Sequence, residues 1–272
     1  MICNSCGIDD IQCSALILCR FYAIIRLLGG AFMNFENKLY KKTILWNGDS
    51  ICAGNKITGN WATRIAEKND MQYKNYAVGG GTVAEDLPLC QSGEKRHSVS
   101  ETVDKMFDEF PNADYIIFEG GSNDADLLRD LMKNGETRLG SFDPTDFSGN
   151  YDRATFCGAL ESVFYRSLNY WTGKKIGYIV AQKMDDADPT KFANRRIYFD
   201  EAVKICLKWG IPYIDLWNGC YLNPKLPSMY DSSKTPDQNR ADNIGFYIDG
   251  QHLTAKGYDF TADIIETWLK TL

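Results

Sequence analysis

Histidine is scarce in this sequence, and its cysteines do not form a pattern that is typical of metal or disulfide sites. The 272 residues include two histidines, His97 and His252, so a metal site built on three histidines is excluded. The nine cysteines are odd in number, and the five that follow residue 20 show no paired spacing, which favours reduced thiols over a disulfide framework. Cys3 and Cys6 have the spacing of a zinc or redox motif, but a matching second pair is absent. We therefore expect no metal site.

Positive charge and long hydrophobic runs are also in short supply. The 30 Lys and Arg residues are outnumbered by 36 Asp and Glu residues, which gives a net charge of -6. Proteins that bind nucleic acid usually carry a basic face, so we expect no nucleic-acid partner. Residues 14–33 are apolar but contain Arg20 and Arg26, whereas a membrane span needs about 20 mostly uncharged residues. Asp9 and Asp10 precede this run, where a signal peptide would be basic. These features predict no membrane partner and a cytoplasmic protein.

The sequence indicates one domain with an N-terminal appendage. From Met33 the chain leads directly into a first predicted strand, so Met33 is an alternative start. We predict that residues 1–32 lie outside the fold and that residues 33–272 form the domain. Neither a linker-like change in composition nor an internal repeat divides the larger segment.

From residue 42 onward, short apolar runs alternate with amphipathic helical patterns. The apolar runs predict five strands, at residues 43–46, 73–78, 115–118, 176–180 and 213–216. Continuous apolar strands separated by helices indicate an α/β fold with a parallel sheet that is covered on both faces. In such sheets the ligand crevice lies beyond the carboxyl ends of the strands. The polar residues that follow each strand are therefore the candidates for chemistry.

Those residues form the set that acyl transfer requires. Ser50 follows the first strand, Asn123 follows the third, and Asp249 and His252 precede the last predicted helix. A serine hydroxyl needs a base within hydrogen-bond reach, and the base needs a carboxylate that fixes its tautomer. Asp249 and His252 are three residues apart, about one helical turn, so we expect them to point the same way. Backbone N–H groups of Ser50 and of a glycine, with an asparagine amide, could bind the oxyanion.

Four sequence blocks resemble the SGNH, or GDSL, hydrolase family. They read LWNGDS at 45–50, NYAVGGGT at 75–82, GSND at 121–124 and DGQHLTAKG at 249–257. The resemblance covers most of the chain from Thr43 onward, although Ile51 stands where the family name has leucine. It implies a three-layer α/β/α sandwich of flavodoxin-like type, and a serine esterase that needs no metal or organic cofactor. It also implies that Ser50, Asp249 and His252 are catalytic and that Ser50, Gly80 and Asn123 form the oxyanion hole.

Ser50 and Asn123 also have purely structural interpretations, and two other polar or reactive residues near these blocks are not expected to take part in chemistry. Ser50 could be only a helix N-cap, and Asn123 could be only a turn former. His97 lies in a polar stretch and is predicted to be solvated. Cys52, beside the serine, is predicted to be a small core residue.

Two long polar loops, residues 133–152 and 218–243, are predicted to form the substrate pocket. Trp217, Tyr221 and Tyr230 are the candidate substrate-binding residues. An aromatic, polar pocket suits a sugar or a small alcohol with a short acyl group, which favours a carbohydrate or small-molecule O-acetylesterase. A lipase or thioesterase for longer acyl chains is one alternative. A catalytically silent binding module of the same fold is another.

Overall fold

The structure is a computed structural model, and it describes residues 37–85, 95–131, 138–185 and 189–272. The chain divides into two compact units, Met1–Lys38 and Leu39–Leu272. Residues 1–32 lie outside the described residues, so their place outside the fold stays a prediction. Residues 133–137 of the first long loop also lie outside them.

The described unit is built on one sheet of five parallel strands. The strands are β1 (Thr43–Asn47), β2 (Gln72–Asn75), β3 (Tyr115–Glu119), β4 (Lys175–Val180) and β5 (Tyr213–Asp215), in the order β2-β1-β3-β4-β5. The predicted α/β class and all five strands are confirmed. Strand β2 ends at Asn75, three residues earlier than its apolar pattern predicted, and its residues are exposed or half-buried. The strand order is that of flavodoxin-like sheets, in which the connection reverses direction beside β1.

Nine helices occur in the described part of the chain. They are α1 (Ser50–Ala53), α2 (Trp61–Asn69), α3 (Val99–Glu109), α4 (Ser122–Leu131), α5 (Phe156–Tyr170), α6 (Pro189–Trp209), α7 (Leu216–Gly219), α8 (Pro236–Asp242) and α9 (Ala255–Leu269). Helix α2 packs against α9, and α5 packs against both α3 and α6. The helices cover both faces of the sheet, so the predicted three-layer α/β/α sandwich is confirmed. None of the helices described here is long and apolar enough to cross a membrane.

The core lies on both faces of the central strands β1 and β3. Trp46 of β1 and Phe118 of β3 are fully buried, as is every residue of β3. Leu45 lies opposite Ile116 in the register of these two strands. Strands buried on both faces need apolar side chains at successive positions, which explains why these segments were recognisable as continuous apolar runs.

Gly177 in β4 permits a close contact with the last helix. A Cβ atom at this position would lie 2.6 Å from the Trp268 ring of α9 and 3.2 Å from the Ile117 side chain. The glycine thus allows a large aromatic side chain to pack directly on the backbone of the sheet.

We expect Gly177→Ala to destabilise the fold by about 1–3 kcal/mol, because an extra methyl group in a packed core forces its neighbours to move. Chemical denaturation would measure the free energy of unfolding. Gly219→Ala is the control, because its added methyl group would meet no atom within 4 Å. Equal stability of the two variants would show that Trp268 moves aside without cost.

Candidate active site

Ser50 is exposed to the crevice by the turn that joins β1 to α1. The side chain of Asp49 is the N-cap of α1 and accepts a hydrogen bond of 2.8 Å from the Ile51 N–H. Ser50 is therefore the first helical residue and not the cap, which corrects the plainer interpretation of this serine. The N–H of a first helical residue has no partner within its own helix. It is available to bind an anion.

A continuous chain of hydrogen bonds links three of the predicted residues. The Oγ of Ser50 lies 2.9 Å from His252 Nε2, and His252 Nδ1 lies 2.8 Å from Asp249 Oδ2. Ser50 and His252 are 202 residues apart in sequence. The structure thus brings together the predicted nucleophile, base and orienting carboxylate in the geometry that nucleophilic catalysis requires.

Asp249 and His252 approach each other through a tight turn and not through a helix. Asp249 Oδ1 accepts hydrogen bonds from the N–H of Gln251 at 3.0 Å and from the N–H of His252 at 2.7 Å. Gly250 has a φ of 77°, a conformation that favours glycine. Helix α9 begins only at Ala255. The expected proximity is therefore present, but its cause is an Asx-type turn, in which one carboxylate serves both the backbone and the imidazole.

The pKa values of the pair move in opposite directions. Burial disfavours the charged imidazolium of His252, but the hydrogen bond and negative charge of Asp249 outweigh it and raise the pKa of His252. For Asp249, burial raises the pKa, but the hydrogen bond and charge of His252 lower it by more than burial raises it. The pKa of Asp249 is therefore lowered from its ordinary value. Asp249 is thus a carboxylate at neutral pH and holds the imidazole by its Nδ1.

Gly80 lies in the loop that follows β2, and Asn123 lies in the first turn of α4, directly after the end of β3. Gly80 has a φ of 75°, and its carbonyl accepts a 2.6 Å hydrogen bond from Arg96 Nη1. The amide of Asn123 donates through Nδ2 to the Gly81 carbonyl at 2.8 Å. An amide nitrogen carries two hydrogens, so Asn123 keeps one for a further acceptor. Asn123 therefore holds the glycine loop whether or not it also binds an oxyanion.

Asp124 and Glu119 are buried carboxyl groups that support these loops. Asp124 accepts hydrogen bonds from the N–H groups of Val83 and Ala84, at 2.9 Å each. Burial raises the pKa of Asp124 to about 6, although these backbone donors oppose the shift. Glu119 Oε2 accepts the N–H of Asp49 at 3.1 Å, and burial raises the pKa of Glu119 well above its usual range. Glu119 was not predicted, although a lone acid at the end of an apolar strand was a visible signal.

His97 is half-buried, which corrects the prediction that it is solvated. Its Nε2 lies 3.0 Å from Asn47 Oδ1, and burial lowers the pKa of His97. The backbone that follows it pairs with Thr82, whose N–H donates to the His97 carbonyl at 3.0 Å and whose carbonyl accepts from the Val99 N–H at 2.8 Å. A polar local sequence could not reveal this pairing across the glycine loop. Cys52, by contrast, is buried as predicted.

The three predicted substrate-binding residues have different surroundings. Trp217 is buried, with its ring edge-to-face against Phe199 at 5.4 Å, and it is not among the residues that line the cleft beside Ser50, so its role in substrate binding stays a prediction. Tyr221 is 84% exposed. Tyr230 lies beside the Asp249–His252 turn, since a Cβ atom on Gly250 would be 3.1 Å from its ring. Tyr230 is thus next to the segment that carries the histidine.

A cleft of about 310 Å³ opens on the side of the histidine. Its lining residues are Ser50, Gly54, Asn55, Arg240, Ile248, Asp249, His252, Leu253 and Tyr258. Tyr258 also donates to the Ile51 carbonyl at 2.8 Å, which ties α9 to α1. Sequence reasoning missed Arg240, which lies within the second long loop, because a single arginine in a polar segment has no distinguishing pattern. Among the side chains that the structure describes, no group of three His, Cys, Asp or Glu could hold a metal ion.

The fold resembles that of several solved structures at low sequence identity. A protein from Lactobacillus plantarum aligns with a TM-score of 0.63 and 18% identity, over 85% of this chain and 98% of its own. An aryl esterase from M. smegmatis aligns with a TM-score of 0.55 and 14% identity, over 85% of this chain and 99% of its own. A carbohydrate acetylesterase from Sinorhizobium meliloti aligns with a TM-score of 0.53 and 14% identity, over 85% of this chain and 99% of its own.

The sequence comparisons give no further assignment, because no protein-family model and no curated protein matches the chain. At these identities the structural likeness identifies a fold and not an activity. The strand order, the helix layers and these neighbours agree: the chain has the three-layer α/β/α fold of the SGNH, or GDSL, hydrolases.

Proposed function

We propose that this protein is a serine esterase in which Ser50 is the nucleophile, His252 the general base and Asp249 the residue that orients the histidine. The observation that carries the proposal is the hydrogen-bond chain through these three side chains, at 2.9 Å and 2.8 Å. Its geometry is that of a catalytic triad, which is recognised by geometry and roles and not by position in the sequence. A binding module without catalysis would have no need for this alignment.

Acylation begins when Ser50 Oγ attacks the carbonyl carbon of the ester and His252 Nε2 takes the hydroxyl proton. The charged imidazolium is stabilised by the carboxylate of Asp249, which stays ionised throughout. The tetrahedral oxyanion would be bound by the N–H groups of Ser50 and Gly80 and by the amide of Asn123. His252 then returns the proton to the alcohol oxygen, the C–O bond breaks, and the acyl group remains on Ser50.

Deacylation repeats these steps with water as the nucleophile. His252 takes a proton from the water, the hydroxide attacks the acyl-enzyme, and the carboxylic acid leaves as Ser50 recovers its proton. The same oxyanion donors serve both halves of the reaction.

We further propose short-acyl esters as substrates, with a carbohydrate or other small-molecule O-acetyl ester as the preferred class. The cleft beside Ser50 is about 310 Å³ and its lining mixes polar and apolar side chains, which suits a small, partly polar ester better than an ester with a fatty chain. Two structures of the same fold are described as an aryl esterase and a carbohydrate acetylesterase, which agrees with this preference. A lipase or thioesterase would need a longer apolar channel.

The nucleophile and the acyl preference can be tested together with p-nitrophenyl acetate and p-nitrophenyl dodecanoate. The wild type should cleave the acetate faster, and Ser50→Ala should lower both rates by several orders of magnitude, because the acyl-enzyme cannot form. Ser228→Ala, the same change at an exposed serine, is the control. A folded Ser50→Ala variant with near wild-type activity would refute the mechanism. A preference for dodecanoate would indicate a lipase.

The pH dependence of kcat/KM follows from the shifts of the pair. His252 must be neutral to take a proton, and its pKa is raised above the ordinary value of about 6.5, so activity should fall as pH drops through that raised pKa. Asp249→Asn removes the charge that favours the imidazolium, so the inflection should move to lower pH while the plateau rate falls. A pH–rate profile measures both quantities. An inflection that does not move would show that Asp249 does not set the pKa of His252.

The role of Asn123 can be separated into catalytic and structural parts. Asn123→Ala should lower kcat by roughly 10²–10³ with a smaller change in KM, because an oxyanion donor acts mainly in the transition state. Asn169→Ala is the control, since the exposed Asn169 amide likewise donates to a backbone carbonyl, that of Tyr165 at 2.7 Å. If Asn123→Ala changes only KM and the melting temperature, the residue supports the Gly81 loop and does not bind the oxyanion.

A further inference from the structure

Arg240 is a cationic residue that lines the cleft together with Ser50 and His252. It lies on the short helix α8, whose position is set by a buried neighbour. The amide of Asn239 donates to the Ile248 carbonyl at 3.0 Å and to the Asp231 carbonyl at 2.9 Å. Ile248 directly precedes Asp249, so the same contact that anchors α8 holds Arg240 beside the segment that bears the histidine.

The known partner of Arg240 holds it weakly. Its Nη1 pairs with Asp237 Oδ1 at 2.5 Å, within one turn of the same helix. The Asp237 side chain is 89% exposed, whereas that of Arg240 is 28% exposed. Ion pairs with such an exposed carboxylate contribute little and are screened by salt. A carboxylate brought by a ligand could therefore replace Asp237.

The remaining donors of Arg240 support a role beyond this pair. Its Nε is buried, and no described residue accepts a hydrogen bond from it. A buried donor without an acceptor is unfavourable, so a feature of this kind calls for an explanation. Guanidinium groups bind carboxylates through two parallel N–H donors, and a rotation of the Arg240 guanidinium away from Asp237 would present Nε and one Nη to the cleft as such a fork. The other charged residue of the cleft, Asp249, is already engaged by His252.

The chemistry of the triad assigns this cleft to the alcohol part of the ester. His252 must reach the leaving oxygen to return the proton, so the alcohol lies on the histidine side. The cleft is lined by His252 and Arg240, while Gly80 and Asn123, two of the three proposed oxyanion donors, are not among its lining residues. An acyl oxygen bound by those donors would leave the alcohol directed toward Arg240.

We infer that Arg240 is a specificity-determining residue that selects esters whose alcohol part carries a carboxylate. This inference rests on the proposed esterase function and names the substrate class of the same site. The protein as a whole has a net charge of -6, which repels anions at a distance. A cation in the cleft would therefore decide whether such an anion binds there.

The test compares acetyl esters that differ in one charge, 4-acetoxybenzoate and 4-acetoxybenzamide. The ratio of the two kcat/KM values does not depend on the fraction of active enzyme in a preparation. Comparing this ratio between variants removes the difference in intrinsic reactivity between the two esters. Arg240→Gln should lower the benzoate-to-benzamide ratio about tenfold or more, mainly through KM of the benzoate. An unchanged ratio in a folded variant would overturn the inference.

Two further variants separate a local contact from the general field of the protein. Lys174→Gln removes one positive charge from an exposed residue just before β4. This residue lies at the amino-terminal end of the strand, away from the carboxyl ends that face the site, so the ratio should stay unchanged. Asp237→Asn removes the carboxylate that competes for Arg240 and should raise the ratio. A Lys174→Gln effect as large as that of Arg240→Gln, or a lowered ratio in Asp237→Asn, would count against direct binding by Arg240.

The outcomes distinguish this inference from the proposed function. If the wild type cleaves neither ester, or if Ser50→Ala retains full activity on both, the esterase proposal itself fails. If both esters are cleaved through Ser50 and the ratio does not depend on Arg240, only the inference fails.

A pair of phenyl esters, phenyl succinate and phenyl butyrate, tests which part of the ester Arg240 contacts, because the succinate carries its carboxylate on the acyl part. A ratio that falls in Arg240→Gln for this pair, and not for the acetoxy pair, would overturn the assignment to the alcohol.

Discussion

The hydrogen bond between Ser50 and His252 joins residues that are 202 positions apart, at 2.9 Å. Such a contact depends on two separate parts of the chain being held rigidly, since an error of about 1 Å would weaken it severely. On one side, Ser50 is set by the end of β1 and by the Asp49 cap of α1. On the other, His252 is set by the Asx-type turn before α9. The bond from Tyr258 of α9 to the Ile51 carbonyl connects the two sides.

Buried carboxyl groups provide much of the support around this bond. Asp49, Glu119 and Asp124 are all buried, and each accepts at least one backbone N–H from the loops at the strand ends. Burial raises the pKa of all three. For Glu119, the nearby charge of Asp49 adds to the effect of burial and raises the pKa well above its usual range.

The charge distribution of the cleft differs from that of the whole molecule. The chain is acidic, yet the side of the cleft beside His252 includes Arg240, and Arg96 contacts the Gly80 carbonyl. Arg96 lies in the loop before α3, and Arg240 lies on the short helix α8. By contrast, Ser50 directly follows β1, and Asp249 and His252 directly precede α9. A rigid scaffold that supplies the chemistry, with loops that supply the recognition, is the common division in α/β proteins.

The sequence by itself determined the sheet and indicated the candidate reacting residues. Strands buried on both faces must be continuously apolar, so β1, β3 and β4 could be recognised locally. The polar residues after β1 and β3 indicated Ser50 and Asn123 as candidates, and the segment before the last helix indicated Asp249 and His252. Tertiary structure decided what lies around them. Trp217 is buried against Phe199, and His97 is half-buried although it lies in a polar segment, because residues from other parts of the chain pack against them. Arg240 reaches the cleft because Asn239 anchors α8 to Ile248. The burial and partners of a loop side chain depend on long-range packing, which a local pattern does not encode.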